Sequence, residues 1–474
     1  MDSAKKLSAE LDAIFHPESL ALIGLPRGMK MGKLFLTAHR DMGFSGAIYP
    51  VHPEASEIDG IKAYPSVSAI PGPIDLAIVL VPHDRVLAVV TECAAKGVKG
   101  AILFSAGYGE TGTKHGKAME QELTAVARSS GMRLMGPNCM GVYCPGAGLS
   151  FFPGLPREAG HVGFISHSGS LANILAHIAP RIGIRFSKAV SLGNECDLTC
   201  ADLLTYLGHD SETEVIGAYV EGIKDGPYFL RALRGASLKK PVILWRVGLT
   251  PEGSRAAASH TGAIAGSAQV WSAVVRQGGA VPVEGLEALA DALMGFSLLP
   301  DRLGDRMAIL AGPGGLAVAA AEAAGKADLR LAALSDDTRS ALSEFIPPTG
   351  TSLSNPVDVG LSASLQMEIY LQGARMLAAD PGVDAVVAIG TGLSKDSNRL
   401  YLEAMIQAQR DYGKPFLIVK IPGFDSAVLE SYSQSGIPFF DSVERAMNVY
   451  AAVRNSQIRR NAKAQCSSEC SQLT

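Results

Sequence analysis

The sequence predicts an α/β protein built of consecutive parallel-sheet units, and three observations predict it. Short apolar runs rich in β-branched residues alternate along the chain with longer amphipathic stretches, the pattern of strands buried on both faces and joined by helices. The 474 residues exceed one ordinary core, and a chain of that length divides into about three domains. Four strand ends run into glycine-bearing turns, the place where open parallel sheets collect their ligands.

The first unit, residues 1–145, carries expected strands at 20–23, 47–51, 76–81, 101–104 and 133–135. Residues 141–160, crowded with Pro145, Gly146, Gly148, Pro153, Gly154 and Pro156, read as a linker. A second unit, 160–300, follows with strands at 162–165, 186–190, 215–220, 242–247 and 280–283. After Leu299-Pro300-Asp301 the pattern restarts, with strands at 307–311, 383–389, 416–420 and 437–440 in a third unit, 301–459. Residues 460–474 are small and polar and read as a loose tail.

Composition narrows the function classes. A content of 47% hydrophobic and 19% charged residues supports compact folding rather than disorder. Lys plus Arg number 42 against 46 Asp plus Glu, and no basic run is present to neutralise a phosphate backbone, so nucleic acid is not an expected partner. The longest uncharged apolar stretch, 307–321, is interrupted by glycines and a proline and falls short of the ~18 apolar residues of a spanning helix. The opening Met1-Asp2-Ser3-Ala4-Lys5-Lys6 has no apolar core or cleavage signal behind it, and the expectation is a cytoplasmic protein. Cys196 with Cys200, and Cys466 with Cys470, lack a matching histidine cluster; they read as plain thiols rather than a zinc site, and no metal ligands are assigned.

The glycine turns are Gly24-Leu25-Pro26-Arg27-Gly28, Ser105-Ala106-Gly107, Ser166-His167-Ser168-Gly169 and Gly312-Pro313-Gly314-Gly315. The first lacks the G-x-G-x-x-G spacing, so a nicotinamide cofactor is weakly supported, and no Walker loop is present. In the third, Ser166 and Ser168 can cap a helix whose apolar residues Leu171, Ile174, Leu175 and Ile178 follow helical spacing, which aims a positive helix end at any anion. All ten histidines lie at or before position 260. Ser259-His260-Thr261-Gly262 displays an imidazole among small neighbours, and a neutral imidazole is a good nucleophile. Glu221, at the end of the 215–220 strand, is the carboxylate placed to orient it. Spacing alone leaves a structural and a catalytic histidine both open at 260.

These segments resemble the NDP-forming acyl-CoA synthetases, including the α subunit of ADP-forming acetyl-CoA synthetase and, more distantly, that of succinyl-CoA synthetase. The resemblance spans about residues 15–450 and rests on Ser259-His260-Thr261-Gly262, Gly136-Pro137-Asn138-Cys139, Ser191-Leu192-Gly193-Asn194, Tyr219-Val220-Glu221-Gly222 and Asn355-Pro356-Val357-Asp358, in that family's order. It implies a Rossmann-like CoA-binding domain followed by two flavodoxin-like domains. It also implies an acid-thiol ligase that forms acyl-CoA from a carboxylic acid, CoA and ATP through a phosphohistidine and an acyl phosphate.

By the same resemblance His260 carries the phosphate, Glu221 orients it, and Ser166, Ser168 and Gly169 cradle it. Asn173 faces the acyl substrate. Gly24, Pro26, Arg27, Gly28, His52, Glu54, Ser105, Ala106 and Gly107 contact CoA. The nucleotide-binding ATP-grasp module is missing from these residues, so the resemblance implies a hetero-oligomer whose β subunit holds ATP or ADP with Mg2+. The chain departs from the family at His167, where glutamine is common, at Leu25-Pro26, and at Gly312-Pro313. A CoA-binding regulatory subunit without phosphotransfer is the alternative reading.

Overall fold

The computed structural model describes residues 3–28, 30–261, 266–360, 363, 365–390, 394–421 and 426–472. The chain divides into two compact units, Met1–Ile178 with Arg185–Leu286, and Ala179–Ile184 with Glu287–Thr474. Among the described residues no helix is long and apolar enough to cross a membrane.

The first unit holds two large sheets and a two-stranded hairpin. Strands β1 (Ser19–Ile23), β2 (Ala47–Val51), β3 (Glu57–Ile58), β4 (Ile61–Lys62), β5 (Leu76–Val79), β6 (Gly100–Leu103) and β7 (Arg133–Met135) come first. Five of them align in parallel in the order β2-β1-β5-β6-β7, so the winding reverses between β1 and β5. Every residue of β1, β5 and β6 is buried, as apolar runs covered by helices on both faces require. The remaining pair, β3 and β4, is a small hairpin turning at Asp59-Gly60, both with positive φ, a pairing that suits a tight hairpin turn.

The second sheet comprises β8 (Gly141–Tyr143), β9 (Val162–Ser166), β10 (Phe186–Ser191), β11 (Val215–Val220), β12 (Val242–Arg246) and β13 (Val281–Val283). Its order is β13-β12-β11-β9-β10-β8, and only β8 runs antiparallel. Strand β8 lies within the stretch read as a linker. Its three buried residues pair with residues 189–191 of β10, and so short a run carries no period to detect. The winding reverses at β9, whose Ser166 stands in register with Ser191 of β10 on one side and Tyr219 of β11 on the other. A crevice therefore opens beyond the carboxyl ends of β9 and β11, where ligands bind in this architecture.

The second unit holds β14 (Arg306–Ala311), β15 (Arg330–Leu331), β16 (Val357–Asp358), β17 (Ala385–Ile389), β18 (Phe416–Val419) and β19 (Phe439–Phe440) in one parallel sheet, with β16 joined to β14. Its boundary lies nearer Leu286 than the position 300 read from Leu299-Pro300. The helix Leu286–Leu298 packs with this unit: Asp291 accepts two hydrogen bonds from Arg445, at 2.5 and 2.8 Å. Gly295 leaves room for Val449, which would sit 2.1 Å from an added Cβ. The backbone from 460 to 472, read as a loose tail, continues the helix Val443–Gln472, because the segment contains neither glycine nor proline to stop it.

Candidate phosphate-relay site

The site grows from the ends of β9 and β11 and from the helix Pro251–Thr261. Strand β11 is fixed on both sides by parallel pairing, so Glu221 leaves its end in one defined place and is 3% exposed. His260 stands in the last turn of the helix, 54% exposed. Its Nδ1 lies 3.0 and 2.9 Å from the two oxygens of Glu221. A carboxylate can only accept, so Nδ1 carries the proton and Nε2 keeps its lone pair free. Burial first, and the Glu221 carboxylate second, push the Tyr219 phenol above its usual range. Arg246 lies on the same side, with its guanidinium 5.7 Å over the Trp271 ring.

The third glycine turn shapes the floor. Ser166 Oγ donates to the Ser168 carbonyl at 2.7 Å and accepts from the Ser168 amide at 3.1 Å. Ser168 Oγ in turn accepts from Leu171 N at 3.4 Å, capping the helix Gly169–Ile178. Ser166 is wholly buried and builds the turn, whereas Ser168, Gly169 and Ser170 face a cavity of about 550 Å³ together with His260. An added Cβ at 169 would sit 2.7 Å from Met140 Cγ, so this start of the helix needs glycine.

The same cavity is lined by Ser105 and Ala106 from the end of β6, and by Asn138 and Met140. Two of the sequence motifs meet here. Asn194 N donates to Pro137 O at 3.0 Å, Asn138 N donates to Ser105 O at 3.0 Å, and Met140 N donates to Ser191 Oγ at 3.1 Å. Gly193, with positive φ, lies so close that an added Cβ would meet Pro137 O at 2.2 Å.

The other expected CoA contacts sit at the neighbouring ends of β1 and β2, and at Gly107 beyond β6, outside that lining. Gly24 has a φ of 84°, its amide donates to Val51 O at 3.0 Å, and Val81 Cγ1 would be 2.6 Å from an added Cβ. Pro26 packs over Gly32; exposed Arg27 and Gly28 follow, and Arg27 pairs with Glu54 at 3.3 Å. His52 Nδ1 accepts from the amides of Glu54 and Ala55, both at 3.1 Å. Gly107, with a φ of 115°, donates its amide to Glu110. Asn173 lies one turn into the helix Gly169–Ile178, off the cavity, with its buried Oδ1 outside any hydrogen bond among the described residues. Cys196 and Cys200 are free thiols, and burial pushes Cys196 up to about 12.

Comparison with known proteins decides the family. The α subunit of acetate–CoA ligase (ADP-forming) II from Pyrococcus furiosus is 37% identical over 458 residues, covering 94% of this chain and 98% of that one. The chain belongs to the ADP-forming acyl-CoA synthetases. A CoA binding domain model matches residues 18–145 of this synthetase, and a succinyl-CoA ligase like flavodoxin domain model matches 159–296. The acetate–CoA ligase (ADP-forming) I of Archaeoglobus fulgidus is 36% identical over 454 residues, 94% of this chain but 64% of that longer protein. Among solved structures, the dinucleotide forming acetyl-coenzyme A synthetase 1 of Ca. Korarchaeum cryptofilum, in complex with phosphate and ADP, superposes with a TM-score of 0.86 at 31% identity, covering 96% of this chain and 98% of that one. The synthetase therefore pairs a CoA-binding domain with flavodoxin-like domains, as the resemblance implied.

Two groups at the site were passed over in the sequence. His167 entered only as a departure from the family, and Arg246 drew no notice because a basic residue at a strand end has no signature of its own. A charged residue closing the otherwise apolar run of β12 could have flagged Arg246.

Proposed function

We propose that His260 of this acyl-CoA synthetase carries phosphate between two half-reactions, and that the reading rests on one observation: a half-exposed imidazole whose Nδ1 is held by a buried carboxylate at 2.9 Å. In the first step Nε2 attacks the terminal phosphorus of ATP; the bond to the ADP oxygen breaks and an N–P bond forms. The ring then holds both the phosphoryl group and the Nδ1 proton and becomes positive. Glu221, itself buried, is placed to offset that charge. Ser168 and Gly169, at the positive end of their helix, receive the phosphoryl oxygens.

In the second step a carboxylate oxygen of the acid attacks phosphorus, the N–P bond breaks and an acyl phosphate forms. The CoA thiolate then attacks the acyl carbon and inorganic phosphate leaves. A carboxylate has only oxide to expel, whereas the acyl phosphate expels phosphate, which is why the covalent carrier helps. CoA reaches the acyl phosphate along the ends of β1, β2 and β6, past Ser105 and Ala106. ATP and Mg2+ belong on an ATP-grasp partner, supplied as a β subunit of a hetero-oligomer. The cytoplasm, where ATP and CoA meet, is the proposed setting.

The test is direct. Full-length chain is incubated with acetyl [32P]phosphate, and separately with [γ-32P]ATP and its partner. Acid-labile, base-stable label on His260 is expected, and its absence in the His260→Ala variant. A wild-type chain left unlabelled by both donors removes the relay.

A further inference from the structure

The residue whose carboxylate holds His260 is itself held at its backbone, by a buried histidine given no role in the proposed chemistry. His167 is 4% exposed and grips the end of β11 twice. Its backbone amide donates to Tyr219 O at 3.2 Å, and its ring Nδ1 lies 3.1 Å from the backbone nitrogen of Glu221. A backbone N–H can only donate, so Nδ1 of His167 is the acceptor and is bare. The ring proton is then on Nε2, which lies 3.1 Å from Oε1 of Glu195.

Glu195 is equally fixed. It is 5% exposed, adopts a positive φ of 54°, and accepts from Cys200 N at 2.6 Å. Lys224 holds the same loop through the carbonyls of Asn194 and Glu195, at 2.6 and 3.0 Å. A chain of defined donors and acceptors therefore runs from the Glu195 carboxylate through His167 to the main chain of Glu221, and from the Glu221 side chain to His260. Glu195 sets the proton position on His167, and the Glu221 carboxylate sets it on His260; the link between the two is the placing of the Glu221 main chain.

We propose that His167 is a positioning residue for phosphotransfer: locked in its Nε2–H form by Glu195, it fixes the Glu221 main chain and thereby the orientation of the His260 ring. The inference rests on the phosphohistidine reading, and its test separates the two. The full-length chain is phosphorylated with acetyl phosphate in three variants. His167→Leu fills the space but neither accepts nor donates; His167→Gln can do both through its amide.

The leucine variant is expected to label His260 about 10–100-fold more slowly than wild type, the usual loss when the group orienting an active ligand is removed. KM for acetyl phosphate is expected to stay within about twofold: His167 borders the cavity, but both of its ring nitrogens are spent on Glu221 N and Glu195 Oε1. The glutamine variant recovers most of the rate. In 15N spectra the wild-type His167 shows a bare Nδ1 and a protonated Nε2.

A leucine variant that labels at the wild-type rate, a glutamine variant as slow as leucine, or a proton on Nδ1 overturns the proposal. Should the leucine variant fail to fold, the spectrum of the wild type decides alone. His260→Ala that still takes up label overturns the relay instead, whatever position 167 does.

Discussion

The turn after β9 and the turn after β14 look alike in sequence and differ in what surrounds them. Each follows a buried parallel strand and opens a helix with glycine, Gly169–Ile178 in one and Gly314–Lys326 in the other. After β9 the helix start is capped by the Ser168 side chain, and Glu221 delivers His260 to its edge. After β14 the cap position is Pro313, without a side-chain hydrogen bond, and the glycines make room for the protein's own groups. An added Cβ would meet the Tyr370 hydroxyl 2.1 Å from Gly312, and Asp358 Oδ2 2.5 Å from Gly314. All ten histidines precede this half of the chain. A glycine turn on a parallel sheet is thus a place for close approach; the adjacent strand decides whether ligand or side chain approaches.

The sharpest break in that comparison is His260→Ala, expected to lower phosphoenzyme formation and acyl-CoA synthesis at least about a thousandfold, as loss of a covalent nucleophile does. Label counting on the purified chain checks it. Glu221→Gln keeps the shape and removes the charge; phosphorylation is expected to fall about a hundredfold with the thermal midpoint little changed. Equal rates in Gln and wild type would mean that the carboxylate does not offset charge on the ring.

Smaller effects separate the two turns. Gly169→Ala drives a methyl against Met140 and displaces the helix start, so His260 labelling should drop about tenfold, read by rapid quench. Gly312→Ala presses on the Tyr370 hydroxyl and should lower stability by about 1–3 kcal/mol, seen by denaturant titration. Its labelling rate per folded molecule should stay within about twofold of wild type, because among the described residues Gly312 packs against Tyr370 and Gly360, neither of which holds His260. A loss of labelling as large as that of Gly169→Ala would erase the distinction between the turns.

The strands central to each sheet were legible because burial on both faces writes itself as an apolar β-branched run; β11 was read at its observed bounds, Val215–Val220. Strands β3, β4, β8, β15 and β16 were not, since two or three residues hold no period. The Asp59-Gly60 pair could have revealed the hairpin. The break at Leu299-Pro300 was readable because proline is audible in sequence, while the Arg445 pairing with Asp291, 154 residues away, which ties the preceding helix to the later sheet, is not.

At the site, His260 and Glu221 could be paired from a strand-end acid and a small-residue loop, together with the family resemblance. The link from His167 to Glu195 crosses 28 residues between two loops, and nothing local to either names the other. The resemblance implied that Ser166 cradles phosphate with Ser168 and Gly169; its hydroxyl bonds the backbone of the turn, a contact that no local pattern announces.

Strand β8 has a practical consequence for anyone cutting this gene into modules. It lies inside the matched CoA binding domain, 18–145, yet its hydrogen-bonded neighbour is β10 of the following sheet. A fragment ending at 145 would carry a loose ribbon, Gly141-Val142-Tyr143, with its pairing edge bare, an invitation to self-association in the test tube. Excision after Met135, or retention through Leu286, would avoid that sticky end.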